Sequence, residues 1–376
     1  MHAYSQRMRI LPPLVAVMLL CACARTEVTD DASTALSTSA SPSTTATATA
    51  DQAARSLKVL DRVIEKNKPG CSAAVGIAGK VVWSGARGVA DLDSGTEITT
   101  DTAFDIASVS KQFTATAALL LAGAGKLSLD ASLAEYVPGL PGWSRTVTIT
   151  ELIHQTSGIP DYVGLLYEAG YQDGDRTTNA DALKALAQVR DLEFEPGTRW
   201  NYSNSNYLLL GAVVEAVSGE SLADFLSAEV FTPLGLDMVL DPARPVPTLA
   251  LSYMKDGGND AVAPSAWEQT GDGSIQTTPS QLVIWADNYR TGAVGGPELL
   301  AAQVDGAVET GSETGERYGA GIFVGIDGTL EHDGSWAGFL TDFAVSADRT
   351  HSVAVSCNTD DQDPTAIAGE IAEIWR

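Results

Sequence analysis

The chain has 376 residues, 44% of them hydrophobic, which is enough for a large core in one domain or two joined lobes and too many for a small stapled scaffold. Its formal net charge of −25 argues against a general affinity for nucleic acid or anionic lipid surfaces, while leaving the potential inside any one cleft open. Four scattered histidines, His2, His154, His332 and His351, form no ligand cluster, so neither a metal nor another cofactor is expected.

Arg7 and Arg9 precede a short apolar run from Leu11 to Leu20 that ends at Cys21-Ala22-Cys23, a leader pattern too short for a membrane span. Leu20-Cys21-Ala22-Cys23 resembles a bacterial lipobox, in which cleavage before Cys23 leaves a lipidated N-terminus; simple secretion is the alternative. The expected product is exported and meets a membrane only through that anchor. Residues 24–52 are mostly Ser, Thr and Ala, with little to bury, and read as a disordered tether. The ordered domain is expected over residues 53–376.

That domain opens on an amphipathic helix, with Ala54, Leu57, Leu60, Val63 and Ile64 at helical spacing, stopped by Pro69-Gly70. Two strands joined by a tight turn at Gly79-Lys80 follow from Cys71. A helix rich in Ala and Leu runs from near Ser108 to Gly123 or Gly125 and is apolar almost all round, as suits a core. Loops and helices dominate from about 130 to 315, including Tyr207–Val217 closed by Gly219, and Leu222–Val230 capped by Ser221. Gly319–Val324, Gly338–Val345 and Ser352–Cys357 then read as strands, and Ala366–Trp375 as a closing helix. Cys71 and Cys357 lie in apolar, strand-like runs, either as two small buried hydrophobes or, in an oxidising compartment, as a bridge between the ends of the domain. Strands at both ends with helices between predict an α/β fold, one sheet assembled from the N- and C-terminal segments with a helical lobe inserted. A cleft between the two is the natural place for a site.

Three elements carry chemistry. Ser108-Val109-Ser110-Lys111 opens the buried helix, and a spacing of three brings hydroxyl and amine to one face near the backbone N–H groups of a helix start. A neutral Lys111 could take the proton of Ser108. Ser252-Tyr253-Met254-Lys255 has the same spacing but runs into Asp256-Gly257-Gly258 and reads as a turn. Tyr202-Ser203-Asn204 supplies a phenol able to pass a proton and an amide able to hold both the lysine and a substrate amide. His332-Asp333-Gly334-Ser335 follows an expected strand; Gly334 permits close approach, and the Ser335 N–H could join that of Ser108 in an oxyanion hole. Lys68-Pro69-Gly70 and Lys255-Asp256-Gly257 fit a loose Lys-x-Gly form at a helix end and a turn, unsuited to lining a cleft. Gly271-Asp272-Gly273-Ser274 could approach the cleft, although a plain turn before a helix from Pro279 is the favoured expectation, and His154 is expected to be a structural member of its loop. No Gly-x-Ser-x-Gly element occurs, which removes the α/β-hydrolase reading.

Phe104–Thr114, Leu152–Tyr162, Pro196-Gly197 with Tyr202-Ser203-Asn204, and His332–Phe339 together resemble the class C β-lactamase and D-Ala-D-Ala carboxypeptidase superfamily, in the family's order over residues 53–376. The resemblance implies an α/β sandwich with an all-helical insertion, Ser108 as nucleophile, Lys111 and Tyr202 as the acid/base pair, and Asn204, His332 and Gly334 against substrate. Class C enzymes carry Lys-Thr-Gly where this chain has His332-Asp333-Gly334, and His there is familiar in related esterases and D-peptidases. The expected activity is a serine hydrolase acting through a Ser108 acyl-enzyme on a small-molecule or peptide substrate: an ester or D-amino-acid peptide in preference to a β-lactam. The competing expectation is a non-catalytic cell-wall-binding or sensing lipoprotein of the same fold.

Overall fold

A computed structural model describes residues 44–263 and 265–376, with side chains from residue 49. The leader, Cys23 and the tether as far as residue 43 lie outside the described residues. Helix α1 spans Thr44–Val63, so residues 44–52, expected in the tether, are helical. No helix among the described residues is long and apolar enough to cross a membrane.

Strands β1 (Cys71–Ile77) and β2 (Lys80–Arg87) form the expected hairpin. Its two-residue turn puts Ala78 at φ 48° and Gly79 at φ 76°, the pair of left-handed conformations that matches strand twist in a tight hairpin. The other six strands come from the far end of the chain: β3 (Val308–Glu309), β4 (Arg317–Tyr318), β5 (Phe323–Val324), β6 (Leu330–Trp336), β7 (Phe339–Val345) and β8 (His351–Cys357). They complete one antiparallel sheet in the order β3-β4-β5-β6-β7-β8-β1-β2. The chain's two ends therefore meet at the β8–β1 pair, where Cys71 stands in register with Cys357 and the two are joined as a disulfide.

Two strand readings need correction. Gly319–Val324 is not one strand: the chain reverses after Tyr318 and pairs it with Phe323. His332–Ser335 does not follow a strand but lies within β6. β5 pairs with β6 only at Leu330 and Glu331, leaving one edge of β6 without a strand partner from His332 onward.

One face of the sheet is covered by α1 and by the closing helix α6 (Pro364–Trp375), with Val59, Leu60, Val353, Val355 and Ile371 buried between. The Trp375 indole donates to Ser56 Oγ at 2.8 Å, tying the first helix to the last. The other face carries α5 (Pro279–Trp285) and the helical lobe. In that lobe α2 (Lys111–Gly123) packs against α4 (Asn204–Ser218), and α3 (Tyr162–Glu168) lies nearby. Residues 111–119 of α2 are all buried, which is why this helix shows no polar face. Gly219 ends α4 at φ 77° and Ser221 Oγ caps Leu222–Leu226, as read; the following turn, Ser227–Phe231, widens to a π-helix.

Candidate active site

The site forms where α2 begins, between β6 and the helical lobe. Ser108 lies in a 3-10 turn, Ala107–Ser110, directly ahead of α2, and remains partly accessible while Ala107, Val109 and Ser110 are buried. Ala107 sits at φ 46°, a left-handed conformation for a residue with a side chain, costing on the order of 1–3 kcal/mol. Its N–H donates to Asp105 Oδ1 at 2.8 Å, and the N–H of Ser274, itself at φ 75°, approaches the same carboxylate. Asp105 thus holds two strained turns together. Burial raises its pKa to about 6 against the pull of those N–H groups.

Lys111 is fully buried, and its Nζ lies 2.9 Å from Ser108 Oγ, 2.9 Å from Asn204 Oδ1 and 2.7 Å from the Asp272 carbonyl oxygen. Two of those neighbours can only accept. A neutral amine gives its two hydrogens to Asn204 and Asp272 and turns its lone pair on the Ser108 hydroxyl. Burial lowers the Lys111 pKa to about 8, and the nearby Asp272, Asp161 and Asp333 keep it from falling further. The Tyr202 ring lies under Nζ, 4.9 Å from ammonium to centroid, and packs against Trp200, Tyr318 and His332.

Asn204 is held from its far side. Asp161 Oδ2 accepts both its backbone N–H (3.1 Å) and its Nδ2 (2.9 Å), which fixes the amide with Oδ1 toward Lys111. One Nδ2 hydrogen is left for the substrate contact expected of this residue.

On the opposite wall, Gly334 presses on the Ser108 turn: a Cβ there would stand 2.3 Å from the Ile106 carbonyl oxygen, so no side chain fits without moving the backbone. The partnerless edge of β6 therefore runs beside Ser108, with the Ser335 N–H on that strand. His332 is buried among Tyr202, Tyr318 and Phe323, with Nδ1 donating to the Asp333 carbonyl oxygen at 2.6 Å. Burial lowers its pKa to about 4, more than Asp333 can offset. An unperturbed imidazole partly charges at pH 5.5; this one stays neutral.

Gly271–Ser274 is a correction: instead of a plain turn, it forms part of the site. Asp272 receives Lys111 on its carbonyl and the Tyr162 hydroxyl on its carboxylate at 3.0 Å, and burial raises that carboxyl's pKa to about 6. Asp105 and Asp161 received no role from sequence, and Asp272 only a possible place near the cleft, because their partners are set by the fold. The positions read as bystanders remain so. Tyr253–Asp256 is a strand of a hairpin, not the turn read from the sequence, because it pairs with Asn259–Val262; Lys255 on it is engaged by Asp260 (2.7 Å) and Asp361 (3.0 Å), and Lys68 pairs with Asp260 at 2.8 Å. His154 turns its Nδ1 onto Thr150 O at 2.9 Å within its own helical turn.

The family model described as Beta-lactamase matches residues 46–374. This chain belongs to the β-lactamase family. It is 30% identical over 299 residues to penicillin-binding protein 4 of Amycolatopsis lactamdurans, covering 73% of this chain and 76% of that one. A D-aminopeptidase of Brucella anthropi is 33% identical over 183 residues (48% of this chain, 35% of that one), and esterase EstB of Burkholderia gladioli 34% over 200 (50% and 51%). The chain spans about half or less of the length of several curated relatives that it matches. The octameric penicillin-binding protein homologue from Pyrococcus abyssi shares the fold, with a TM-score of 0.75 at 23% identity over 87% of this chain and 77% of that one. Family membership and the shared fold bear out the α/β architecture expected from sequence.

Proposed function

We propose that the chain is a serine hydrolase in which Ser108 forms an acyl-enzyme. The observation that carries this is Lys111 Nζ at 2.9 Å from Ser108 Oγ, with its other two positions filled by obligate acceptors. Neutral Lys111 removes the hydroxyl proton as Oγ attacks the carbonyl carbon. The resulting oxyanion faces the N–H groups of Ser108 and Ser335. Collapse expels the leaving group, which takes a proton delivered through Tyr202 and Lys111, and water then releases the acyl group by the same path in reverse.

The electrostatics favour uncharged substrates. His332 brings no positive charge where class C enzymes have lysine, and Asp161, Asp272 and Asp333 lie close enough to act on Lys111. A carboxylate-bearing β-lactam gains little here, whereas a neutral ester, or a D-amino-acid peptide without a carboxylate on the leaving group, loses nothing. The names of the esterase and D-aminopeptidase relatives point the same way. The leader and Cys23 support export and lipid anchoring, and the Cys71–Cys357 disulfide suits an oxidising compartment.

Labelling with a fluorophosphonate and a fluorescent penicillin tests the assignment. The wild type and Ser252→Ala should be labelled by the fluorophosphonate, and Ser108→Ala should not. Wild-type protein that takes up neither probe covalently would favour a cell-wall-binding lipoprotein instead.

A further inference from the structure

β6 passes through the site with His332, Gly334 and Trp336 on one face, the face that meets Tyr202 at one end and the Ser108 turn in the middle. At about 3.3 Å per residue, His332 and Trp336 are about 13 Å apart along the strand. The His332 end holds Tyr202, whose proton goes to the leaving group. A substrate laid along this edge with its carbonyl at Ser108 sends its leaving group toward His332 and its acyl group toward Trp336.

At that end three rings stack in series. Trp336 lies 5.5 Å from Trp267 between centroids, and Trp267 lies 5.2 Å from Tyr167. Each ring belongs to an element that also supplies the site: β6 carries Ser335, the segment with Trp267 leads to Asp272, and α3 begins at Tyr162. The stack is anchored, because the Trp336 indole donates to Ser265 Oγ at 3.2 Å and that of Trp267 to Gln172 O at 3.1 Å. Its two outer rings reach solvent, Trp336 half-buried and Tyr167 43% exposed, while Trp267 between them is buried and backs both. Aromatic rings held rigid with a face toward water offer apolar contact at little entropic cost.

We propose that Trp336, Trp267 and Tyr167 form the acyl-group subsite and select an aromatic or long aliphatic acyl group. This rests on the Ser108 reading and adds the class of substrate. The side of the scissile bond follows from the order of Tyr202, Ser108 and Trp336 along β6.

The test is kcat/KM for p-nitrophenyl acetate and p-nitrophenyl phenylacetate, which share a leaving group. The wild type should prefer the phenylacetyl ester at least tenfold. Trp336→Ala should cut the phenylacetyl-to-acetyl ratio fivefold or more, and Trp336→Phe should largely restore it. Tyr167→Ala, a change at an exposed position, should lower the ratio for the longer 4-phenylbutyryl ester. A structural role for the rings would depress both esters together and leave the ratio unchanged, which would overturn the proposal. So would a ratio sensitive only to the alcohol portion in a series of acetate esters. Binding of uncleaved phenylacetamide and acetamide analogues to Ser108→Ala, measured by calorimetry, separates the subsite from the chemistry. Preference for the aromatic analogue must persist there even if the acyl-enzyme reading fails, and its absence overturns the subsite.

Discussion

If neutral Lys111 is the base, the rate of acylation follows its titration. With a pKa of about 8, roughly one lysine in ten is neutral at pH 7 and nine in ten at pH 9, so kcat/KM for a neutral ester should rise about tenfold across that interval and then level off. A lysine with its ordinary pKa of about 10.4 would give a rise of nearly a hundredfold over the same interval and no plateau by pH 9. Asp272 is the leading influence opposing burial, so Asp272→Asn, which keeps the shape and the carbonyl oxygen that Lys111 uses, should move the midpoint. Removing an anion disfavours the charged amine and lowers its pKa. For unit charges on the order of 4–8 Å apart, Coulomb's law gives about 0.5–1 kcal/mol in a water-like setting and about 2–4 kcal/mol at an effective dielectric constant of 20, or roughly 0.4–3 pH units downward. The assay is kcat/KM for p-nitrophenyl acetate from pH 6 to 10, corrected for spontaneous hydrolysis. A flat wild-type profile, a rise that continues past pH 10, or an upward shift in Asp272→Asn would refute the reasoning.

Because His332 takes up a proton near pH 4 when folded and near 6.5 when unfolded, the unfolded state binds more protons between those values and stability falls as pH drops through them. The loss attributable to His332 is about 2 kcal/mol by pH 5, while Asp105 and Asp272, with raised pKa values, act in the opposite direction. Lowering the pH from 7 to 5 should therefore move the urea midpoint of the wild type downward relative to that of His332→Gln, and an equal shift in both proteins, or an upward one in the wild type relative to the variant, would count against a neutral buried imidazole. Cys71→Ser should lower unfolding stability by roughly 2–5 kcal/mol with the site intact, measured by urea denaturation of the oxidised proteins; an unchanged midpoint would mean that the bridge constrains nothing. Cys23→Ala should move the protein from the membrane to the soluble fraction with activity retained, and unaltered fractionation would point to an uncleaved signal anchor.

Much of this site was legible because its residues lie in local patterns. Ser108 and Lys111 are three apart, the Gly79 turn sits between two short apolar runs, and Asn204 and Gly219 bound an apolar helix. The sequence misread β6 because Asp333 and Gly334 interrupt what would otherwise look like a strand. Gly334 is needed there by the Ile106 carbonyl, a neighbour more than 200 positions away in the chain. Asp161, Asp105 and Asp272 act through partners whose closeness follows from packing of the helical lobe on the sheet, so no spacing rule reaches them. The left-handed Ala107 gave no signal either, since alanine is not a residue chosen for that conformation. Nothing in the sequence around His332 marks its imidazole as buried among three aromatic rings, because those rings come from distant segments.

The most direct measurement is the mass of the intact protein after reaction with a fluorophosphonate, followed by peptide mapping of the adduct. A single addition on Ser108, absent from Ser108→Ala and slowed at least a hundredfold in Lys111→Ala, is the predicted result. An adduct on Ser252 or any other residue, or undiminished modification in Lys111→Ala, would contradict Ser108 and Lys111 as nucleophile and base.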